Sequence, residues 1–306
     1  MKLDGIASFV AVAEAGSISE AARSLRLSKS VVSERLGELE RSVGARLLHR
    51  TTRRLSVTED GAAFLDRARR ILREVEEASA DLSERRGTLA GPMRIAAPIT
   101  FGHMHLGPAL YPFLAAHPQI ELTLDLDDRR VDIASGAYDG VIRHGVIDDS
   151  RLMVWRLAPS RRLLVASDDY LARHGMPHSI AELDDHRGIF YTNRGVADWR
   201  FLGPEGVEIV RAKVALRVNN GAMILDAALA GLGIALLPTF IAGPLIRTGG
   251  LRVVDVGIRP EGEAIFLAHP EGRRPSAKLR ALADHLRRAF GDPPYWEEGV
   301  SIHAPA

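Results

Sequence analysis

The amino-acid sequence predicts two folding units: an all-α N-terminal unit with a small β hairpin, and a larger α/β unit after it. The length of 306 residues exceeds that of most single domains, so more than one core is expected. Apolar residues recur with helical spacing over residues 1–90, whereas strand and helix patterns alternate after them. Gly87 and the pair Gly91–Pro92 interrupt both patterns, so we place the boundary between the units there.

Composition indicates a globular chain without covalent cross-links. Hydrophobic residues make up 46% of it and charged residues 26%, so each unit can bury a core. The absence of cysteine excludes disulfides and thiolate metal sites and is typical of a cytoplasmic protein. We predict no export signal, because no cationic segment with an apolar core opens the chain. The uncharged run 227–246 contains Gly and Pro breakers that favour a buried helix, strand and helix over a membrane span.

Charge is distributed unevenly along the chain. Residues 1–58 contain ten Lys/Arg against six Asp/Glu, although the net charge of the whole chain is only +1. Within this part, residues 42–58 contain four arginines and no acid. Such a run is expected beside a polyanion, although a solvated cationic face would have the same composition.

Two short amphipathic helices are predicted between Ser17 and Glu40. Ser17 and Glu20 have the spacing of a capping box for the first helix, and Ser28 is the expected N-cap of the second. In the second helix the apolar residues form one stripe: Val31, Val32, Leu36 and Leu39.

The opposite face of this second helix has small or polar residues: Ser30, Ser33, Glu34, Gly37 and Arg41. Gly37 costs about 1 kcal/mol relative to alanine in a helix interior, so close approach of another backbone is a reason for its presence. These features are those of a helix that reads the DNA major groove. A helical hairpin within a larger bundle is the alternative.

A β wing and a long helix are predicted next. Gly44 is a natural helix C-cap, and two short strands around a turn at Thr51 and Thr52 would set Arg50, Arg53 and Arg54 against phosphates. Thr58 then caps a long helix with a narrow apolar seam that calls for a partner helix: Leu65, Ala68, Leu72, Val75, Ser79 and Leu82.

Residues 1–90 resemble the winged helix-turn-helix and linker helix of the LysR-type transcriptional regulators. The resemblance rests on "FVAVAEAGSISEAARSLRLSKSVVSERLGELERSVGARLLHRTTRRLSVTEDG". Two positions depart from the usual family pattern: Lys29 replaces glutamine, and Leu48 replaces phenylalanine. The resemblance implies a homodimer or homotetramer on an interrupted inverted repeat of double-stranded DNA, nucleoid association, and RNA polymerase as a further partner.

On this resemblance each DNA-contacting side chain receives an expected role. Ser30, Ser33 and Arg41 face the groove, and Glu34 accepts from cytosine N4. Phosphate contacts are expected from Lys29 and from the wing arginines Arg50, Arg53 and Arg54. The expected domains are the winged helix-turn-helix at 1–58, the linker helix at 59–90, an effector domain at 91–292 and a loosely ordered tail at 293–306.

The resemblance implies an effector domain of two lobes, similar to a periplasmic binding protein, and the alternation of strand and helix patterns predicts α/β lobes with mostly parallel sheets. Lobe 1 is placed at about 92–162 and 267–292, and lobe 2 at about 163–266. A small-molecule effector would bind between them, at strand ends and helix N-termini. The candidate contacts are Thr100, Phe101, Arg143, Tyr191, Thr192, Asn193, Asn219 and Asn220.

A cation, hydroxyls and a helix N-terminus together favour a small carboxylate or phenolic acid as the effector. The alternatives are that Arg143 pairs with Asp139 or Asp148 and that Asn219 is only a helix cap.

Enzyme signals are weak, so we predict no catalytic residue, cofactor or metal. The segment "GLGIAL" lacks the third glycine of a dinucleotide fingerprint, and no Gly-x-Ser-x-Gly elbow occurs. His103 and His105 would point to opposite sides of a helix. The alternative function is a solute-binding or small-molecule-processing α/β module with an accessory helical domain.

Overall fold

The computed structural model describes residues 1–50, 55–84, 88–129, 138–145, 151–203, 206–270 and 275–300. It separates into two compact units, one up to Gly91 and one from Pro92 onward. The N-terminal unit contains α1 (Leu3–Ala15), α2 (Ile18–Ser24), α3 (Lys29–Val43), β1 (Leu48–Arg50), β2 (Leu55–Val57) and α4 (Glu59–Glu84).

One apolar core holds the N-terminal unit together. The apolar stripe predicted for α3 provides Val32, Leu36 and Leu39, each at most 2% exposed. These side chains pack against α1, α2 and the start of α4 through Ile6, Phe9, Val12, Ala21, Ala22, Leu47, Leu48 and Ala68. Burial of this stripe fixes which face of α3 is left outside.

Several helix ends in this unit follow local sequence signals. Ser28 Oγ accepts the backbone N–H of Val31 at 3.3 Å, and Thr58 Oγ1 accepts that of Gly61 at 2.9 Å. Gly44 ends α3 with a φ of 71°. The predicted capping box is wrong, because Ser17 precedes α2 without any side-chain cap hydrogen bond.

The turn between α2 and α3 contains a non-glycine residue in a left-handed conformation. Arg26 has a φ of 54°. Its backbone N–H donates to the Arg23 carbonyl at 3.1 Å, and that of Leu27 donates to the Ala22 carbonyl at 2.9 Å. This pair of bonds is a Schellman motif, which usually has glycine at the left-handed position.

The wing strands β1 and β2 are antiparallel, with Leu48 opposite Val57. The predicted turn at Thr51 and Thr52 lies outside the described residues. Helix α4 packs its first turns on the core through Ala68 and its neighbours, whereas Val75, farther along the predicted seam, is 42% exposed. The seam therefore has an uncovered part beyond the core.

The second unit is built on two five-stranded sheets. The first has the order β4-β3-β5-β15-β6 and the second β11-β8-β12-β7-β13. The strands of the first are β3 (Gly91–Ala97), β4 (Ile120–Leu126), β5 (Gly140–Gly145), β6 (Leu152–Ser160) and β15 (Glu263–Pro270). Those of the second are β7 (Arg162–Ala166), β8 (Arg187–Tyr191), β11 (Lys213–Val218), β12 (Ile234–Pro238) and β13 (Arg252–Val253).

Both sheets are mixed, so the expectation of mostly parallel sheets is wrong. β3 and β5 are parallel, as are β8 and its two neighbours, but β15 and β7 run antiparallel to their neighbours. The reason is the chain path, since β6 leads into β7 and β15 returns the chain to the first sheet. We call the part built on the first sheet lobe 1 and the part built on the second lobe 2.

Helices cover the sheets, and a small third sheet adds to lobe 2. The helices are α5 (Ile99–Phe101), a π-helical turn (Gly102–Leu106), α6 (Gly107–Ala116), α7 (Asp168–His174), α8 (Gly221–Leu229), α9 (Thr239–Arg247) and α10 (Ala277–Phe290). Short 3-10 helices lie at Ala181–Asp185, Thr192–Ala197 and Tyr295–Glu297. The third sheet contains β9 (Arg200–Gly203), β10 (Gly206–Ile209) and β14 (Arg259–Pro260).

The uncharged run at 227–246 forms the end of α8, then β12 and most of α9, as predicted. Among the described residues, no helix has the length and apolar character needed to cross a bilayer.

The segment after α10 is packed, so a loosely ordered tail from residue 293 is wrong as far as residue 300. Trp296 is 1% exposed and contacts the rings of Phe101 and Phe290. Glu297 accepts a hydrogen bond from Thr239 Oγ1 at 2.8 Å and pairs with Arg161. The buried aromatic ring anchors a segment that was expected to be loosely ordered as a chain end. Residues 301–306 lie outside the described part.

Candidate functional site

The outer face of α3 carries polar side chains and one glycine. Lys29, Ser30, Glu34 and Arg41 are exposed, and Ser33 is half-buried at the edge of the packed stripe. A Cβ added to Gly37 would meet no atom within 4 Å, so the glycine leaves open space. This is the face predicted to enter a DNA groove, and the structure places its predicted residues along one helix.

Contacts with α1 hold α3 from behind and leave that face open. Arg35 pairs with Asp4 at 3.0 Å, and Glu38 pairs with Lys2 at 3.1 Å. A Cβ on Gly5 would lie 3.3 Å from the Arg35 carbonyl oxygen, which shows how closely the two helices approach. A helix braced on one side in this way can present its other side as a rigid surface.

The wing contributes the remaining predicted DNA contacts. Arg50 is the last residue of β1. Arg53 and Arg54 lie outside the described residues. The start of the wing is tied to α3, because the Glu40 carboxylate accepts the backbone N–H groups of Leu47 and Leu48 at 2.9 and 3.2 Å.

Thr100 lies where lobe 1 meets lobe 2. It is 8% exposed, and its Oγ1 has no hydrogen-bond partner among the residues that the structure describes. A Cβ on Gly221, the first residue of α8, would lie 3.3 Å from this oxygen. Thr100 and the N-terminus of α8, predicted separately from the sequence, are therefore brought together.

Asp128 joins the two lobes and was missed by the sequence analysis. Its carboxylate accepts the backbone N–H of Ile99 at 2.9 Å and Asn220 Nδ2 at 3.3 Å. Its backbone carbonyl accepts Asn193 Nδ2 at 2.8 Å. Burial raises the pKa of Asp128, against the lowering effect of the Ile99 and Asn220 hydrogen bonds. The available signal was its position just after β4, the same kind of position as that of Thr100 after β3.

The polar cluster of lobe 2 is partly assembled around Asp128. Asn193 Nδ2 also lies 3.1 Å from the Tyr191 hydroxyl, and burial raises the pKa of that tyrosine. Asn220 Oδ1 caps α8 by accepting the Met223 N–H at 3.1 Å. Thr192 and Asn219 are exposed, and the cap role considered for Asn219 belongs to Asn220.

Arg143 and Phe101, two of the predicted effector contacts, do not lie where the sequence predicted them. Arg143 was placed directly after a strand, but it lies inside β5, opposite Phe266 of β15. Phe101 is 1% exposed and packs edge-on against Phe240 and Trp296. Its burial gives it a core-packing role, because the aromatic residues of the segment after α10 cover it.

A second charged group connects the lobes through Arg194, which the sequence analysis also missed. Arg194 of lobe 2 forms an ion pair with Glu263 at the start of β15, with Nη2 2.7 Å from Oε2. His144 Nε2 lies 2.9 Å from the same carboxylate. Burial works to raise the pKa of Glu263, but the hydrogen bonds from His144 and Arg194 lower it well below its usual range. No sequence spacing links these residues, since 50 or more positions separate them.

Deeper in lobe 2, Arg162 and Asp198 form a buried ion pair. Arg162 Nη2 lies 2.8 Å from Asp198 Oδ1, and the other carboxylate oxygen accepts the backbone N–H of Tyr191 at 2.9 Å. The pair fixes the end of β8, where the polar cluster begins. Removal of one partner would leave a buried charge without compensation.

Comparison with known proteins agrees with this architecture. Residues 3–62 match the family model "Bacterial regulatory helix-turn-helix protein, lysR family", and residues 86–291 match "LysR substrate binding domain". The chain is 36% identical over 286 residues to an HTH-type transcriptional regulator of Xanthomonas campestris, covering 91% of this chain and 82% of that protein. It is 31% identical over 295 residues to the HTH-type transcriptional regulator DmlR of Escherichia coli, covering 95% of each.

A solved structure is similar to this chain over nearly its whole length. The LysR-type transcriptional regulator CrgA of Neisseria meningitidis superposes with a TM-score of 0.60 at 28% identity, covering 95% of this chain and 100% of that one. These relatives are regulators and not enzymes. The chain therefore belongs to the LysR family of DNA-binding transcriptional regulators, with a helix-turn-helix unit followed by an effector-binding domain.

Proposed function

We propose that this regulator binds an interrupted inverted repeat as a homodimer or homotetramer, through α3 in the major groove. The observation that carries the proposal is the exposed outer face of α3, where Gly37 and the serines leave room for base edges. Ser30, Ser33, Glu34 and Arg41 contact bases, while Lys29, Arg50, Arg53 and Arg54 hold phosphates. The uncovered seam of α4 at Val75 supports pairing with a second copy.

DNA binding is tested with the DNA upstream of the regulator's own gene. We expect a footprint over an inverted repeat and an affinity that falls steeply with salt, as several phosphate contacts require. Ser33→Arg should abolish selectivity for the operator, whereas Arg187→Ser, on the exposed start of β8 in the other unit, should preserve it. Unchanged selectivity in Ser33→Arg would refute the placement of α3 in the groove.

The effector in this proposal is a small organic or aromatic acid bound between the lobes. The single supporting observation is the buried Thr100 hydroxyl, without a hydrogen-bond partner in the described part of the chain, beside the N-terminus of α8. A helix N-terminus with a nearby hydroxyl favours a carboxylate. Closure or rotation of the lobes around the ligand would change the spacing of the DNA-binding units and so the contact with RNA polymerase. The site of action is the bacterial cytoplasm, at the nucleoid.

A panel of carboxylates, with benzoate and succinate as first probes, tests this effector class by calorimetry. Thr100→Val keeps the shape of the side chain and removes its hydroxyl, so it should weaken binding at least tenfold. Arg143→Ala tests the predicted cation in the same assay. Equal affinities in the native chain, Thr100→Val and Arg143→Ala would rule out the proposed contacts.

A further inference from the structure

The contacts of Asp128 reach both lobes from one residue. One carboxylate oxygen accepts the Ile99 N–H of lobe 1 at 2.9 Å, and the other accepts Asn220 Nδ2 of lobe 2 at 3.3 Å. The backbone carbonyl accepts Asn193 Nδ2, also of lobe 2, at 2.8 Å. Asp128 therefore ties one backbone segment of lobe 1 to two separate segments of lobe 2.

The amide of Asn220 is held with its donor toward Asp128. Its Oδ1 accepts the Met223 N–H at 3.1 Å, so rotation of the amide would break the cap of α8. Its Nδ2 consequently points at an acceptor at the junction of the lobes. The Asp128 carboxylate occupies that acceptor position, and it also takes the N–H of Ile99.

One polar group at the same place is left over. Thr100 Oγ1 is buried, has no hydrogen-bond partner in the described ranges, and lies beside Gly221 at the start of the nine-residue helix α8. A buried hydroxyl without a partner is unfavourable, and a ligand that hydrogen-bonds to it would remove that cost. At this junction of the lobes, the Asp128 carboxylate accepts from two donors, and the Thr100 hydroxyl has no partner in the described residues.

We propose that Asp128 is an interlobe latch whose carboxylate occupies, in the ligand-free regulator, the donors that a carboxylate effector takes over. This inference rests on the proposed effector class and adds its mechanism: the effector replaces an internal carboxylate and gains the Thr100 hydroxyl as an additional partner. Burial raises the pKa of Asp128, so the protein compensates its desolvation only in part.

The first test measures the ligand-free chain. Because the chain contains no cysteine, Ala115→Cys on α6 and Ala172→Cys on α7 allow one spin label on each lobe, both at exposed positions. Labelled chains diluted with unlabelled chains give the distance within one chain. We expect Asp128→Asn to lengthen and broaden the distance distribution, because the new amide has only one acceptor oxygen. That oxygen can accept from Ile99 or from Asn220, and the amide N–H₂ group would then face the other donor.

A matched control and a second variant accompany this test. Asp127→Asn removes the same charge from the neighbouring residue, which pairs with Arg129, and should leave the distance unchanged. Asn220→Ser keeps a good N-cap for α8 but is too short to donate to Asp128, so it should broaden the distribution as Asp128→Asn does. Native distances in both Asp128→Asn and Asn220→Ser would overturn the latch.

The second test titrates benzoate into the same chains. Removal of the competing carboxylate should tighten benzoate binding at least tenfold in Asp128→Asn and not in Asp127→Asn. If the native chain binds benzoate and Asp128→Asn binds it no tighter, replacement of Asp128 by the effector is wrong. If no carboxylate binds any chain while the distances shift as expected, the carboxylate class of the proposed function fails and the interlobe contact stands.

Discussion

The carboxylate of Glu40, on the last turns of α3, accepts the backbone N–H of Leu47 at 2.9 Å and so fixes the start of the wing. Leu47 is only 2% exposed, so water cannot replace this acceptor freely. We expect Glu40→Ala to lower the stability of the N-terminal unit by about 1.5–3 kcal/mol, the usual cost of losing a hydrogen bond to a charged group. Hydrogen exchange of the backbone amides of residues 46–50 measures this loss of stability.

Glu38→Ala is the control for Glu40, because Glu38 lies on the same helix and pairs with Lys2 at the surface. Its exchange pattern should match that of the native chain. Equal exchange in Glu40→Ala and the native chain would show that the carboxylate does not position the wing.

Gly37→Ala should separate stability from DNA binding. The added Cβ meets no atom within 4 Å, so it brings helix propensity without a clash and should stabilise α3 by about 1 kcal/mol. Operator affinity should fall at the same time, because the methyl group narrows the proposed approach to the groove. Hydrogen exchange of α3 and a DNA titration measure the two effects, and a gain in stability with native affinity would contradict the groove placement.

Arg26→Gly should stabilise the turn between α2 and α3. Arg26 has a φ of 54°, a conformation that costs a non-glycine residue about 1–2 kcal/mol. Because glycine loses more entropy on folding, the net gain should be about 0.5–1 kcal/mol. Arg23→Gly, inside α2, is the control and should destabilise the same unit. Slower hydrogen exchange in α2 would support the expectation, and faster exchange would refute it.

Trp296→Ala should destabilise the second unit by about 3–5 kcal/mol, as expected for a buried aromatic side chain. Trp296 is 1% exposed and packs against Phe101, Phe240 and Phe290, which belong to both lobes. Denaturant unfolding followed by far-ultraviolet circular dichroism measures the loss. Trp155→Ala, on the edge strand β6 and less buried, is the comparison. An equal or smaller loss at Trp296 would mean that the segment after α10 is not an anchor.

The stability of the second unit should fall as the pH drops below about 6.5. His105 is buried, and its ring nitrogens contact the Phe240 carbonyl at 2.8 Å and the Tyr295 hydroxyl at 2.6 Å. Burial lowers its pKa below 6.5, against the raising effect of the Phe240 carbonyl. The unfolded chain therefore binds the proton more readily, so the contribution is fully present above about pH 6.5 and is lost as pH falls through the folded pKa.

His105→Gln tests this pH dependence, because glutamine can still donate to the Phe240 carbonyl but does not titrate. Unfolding free energies measured from pH 8 to pH 5 should fall less steeply in the variant. Equal slopes in the variant and the native chain would show that other groups, such as the buried His144, account for the dependence.

The sequence by itself determined what depends on residues close together in the chain. Ser28 and Thr58 act on backbone groups three residues away, and the apolar stripe of α3 follows from helical periodicity. The family resemblance was confirmed by the matches to both family models. Local prediction failed at Ser17, whose side chain does not make the cap hydrogen bond that its spacing from Glu20 predicts. It also failed at Arg143, because β5 continues past the apolar residues that were taken as its end.

Only the tertiary structure decided which distant polar groups meet. Asp128 reaches Asn220 across 92 positions, Arg194 reaches Glu263 across 69, and Trp296 packs on Phe101 from the far end of the chain. None of these partners shares a helix or a strand, so no periodicity relates them. These residues come together because the two sheets and their covering helices pack into lobes, and this packing fixes where the strand ends lie. No local sequence pattern encodes that packing.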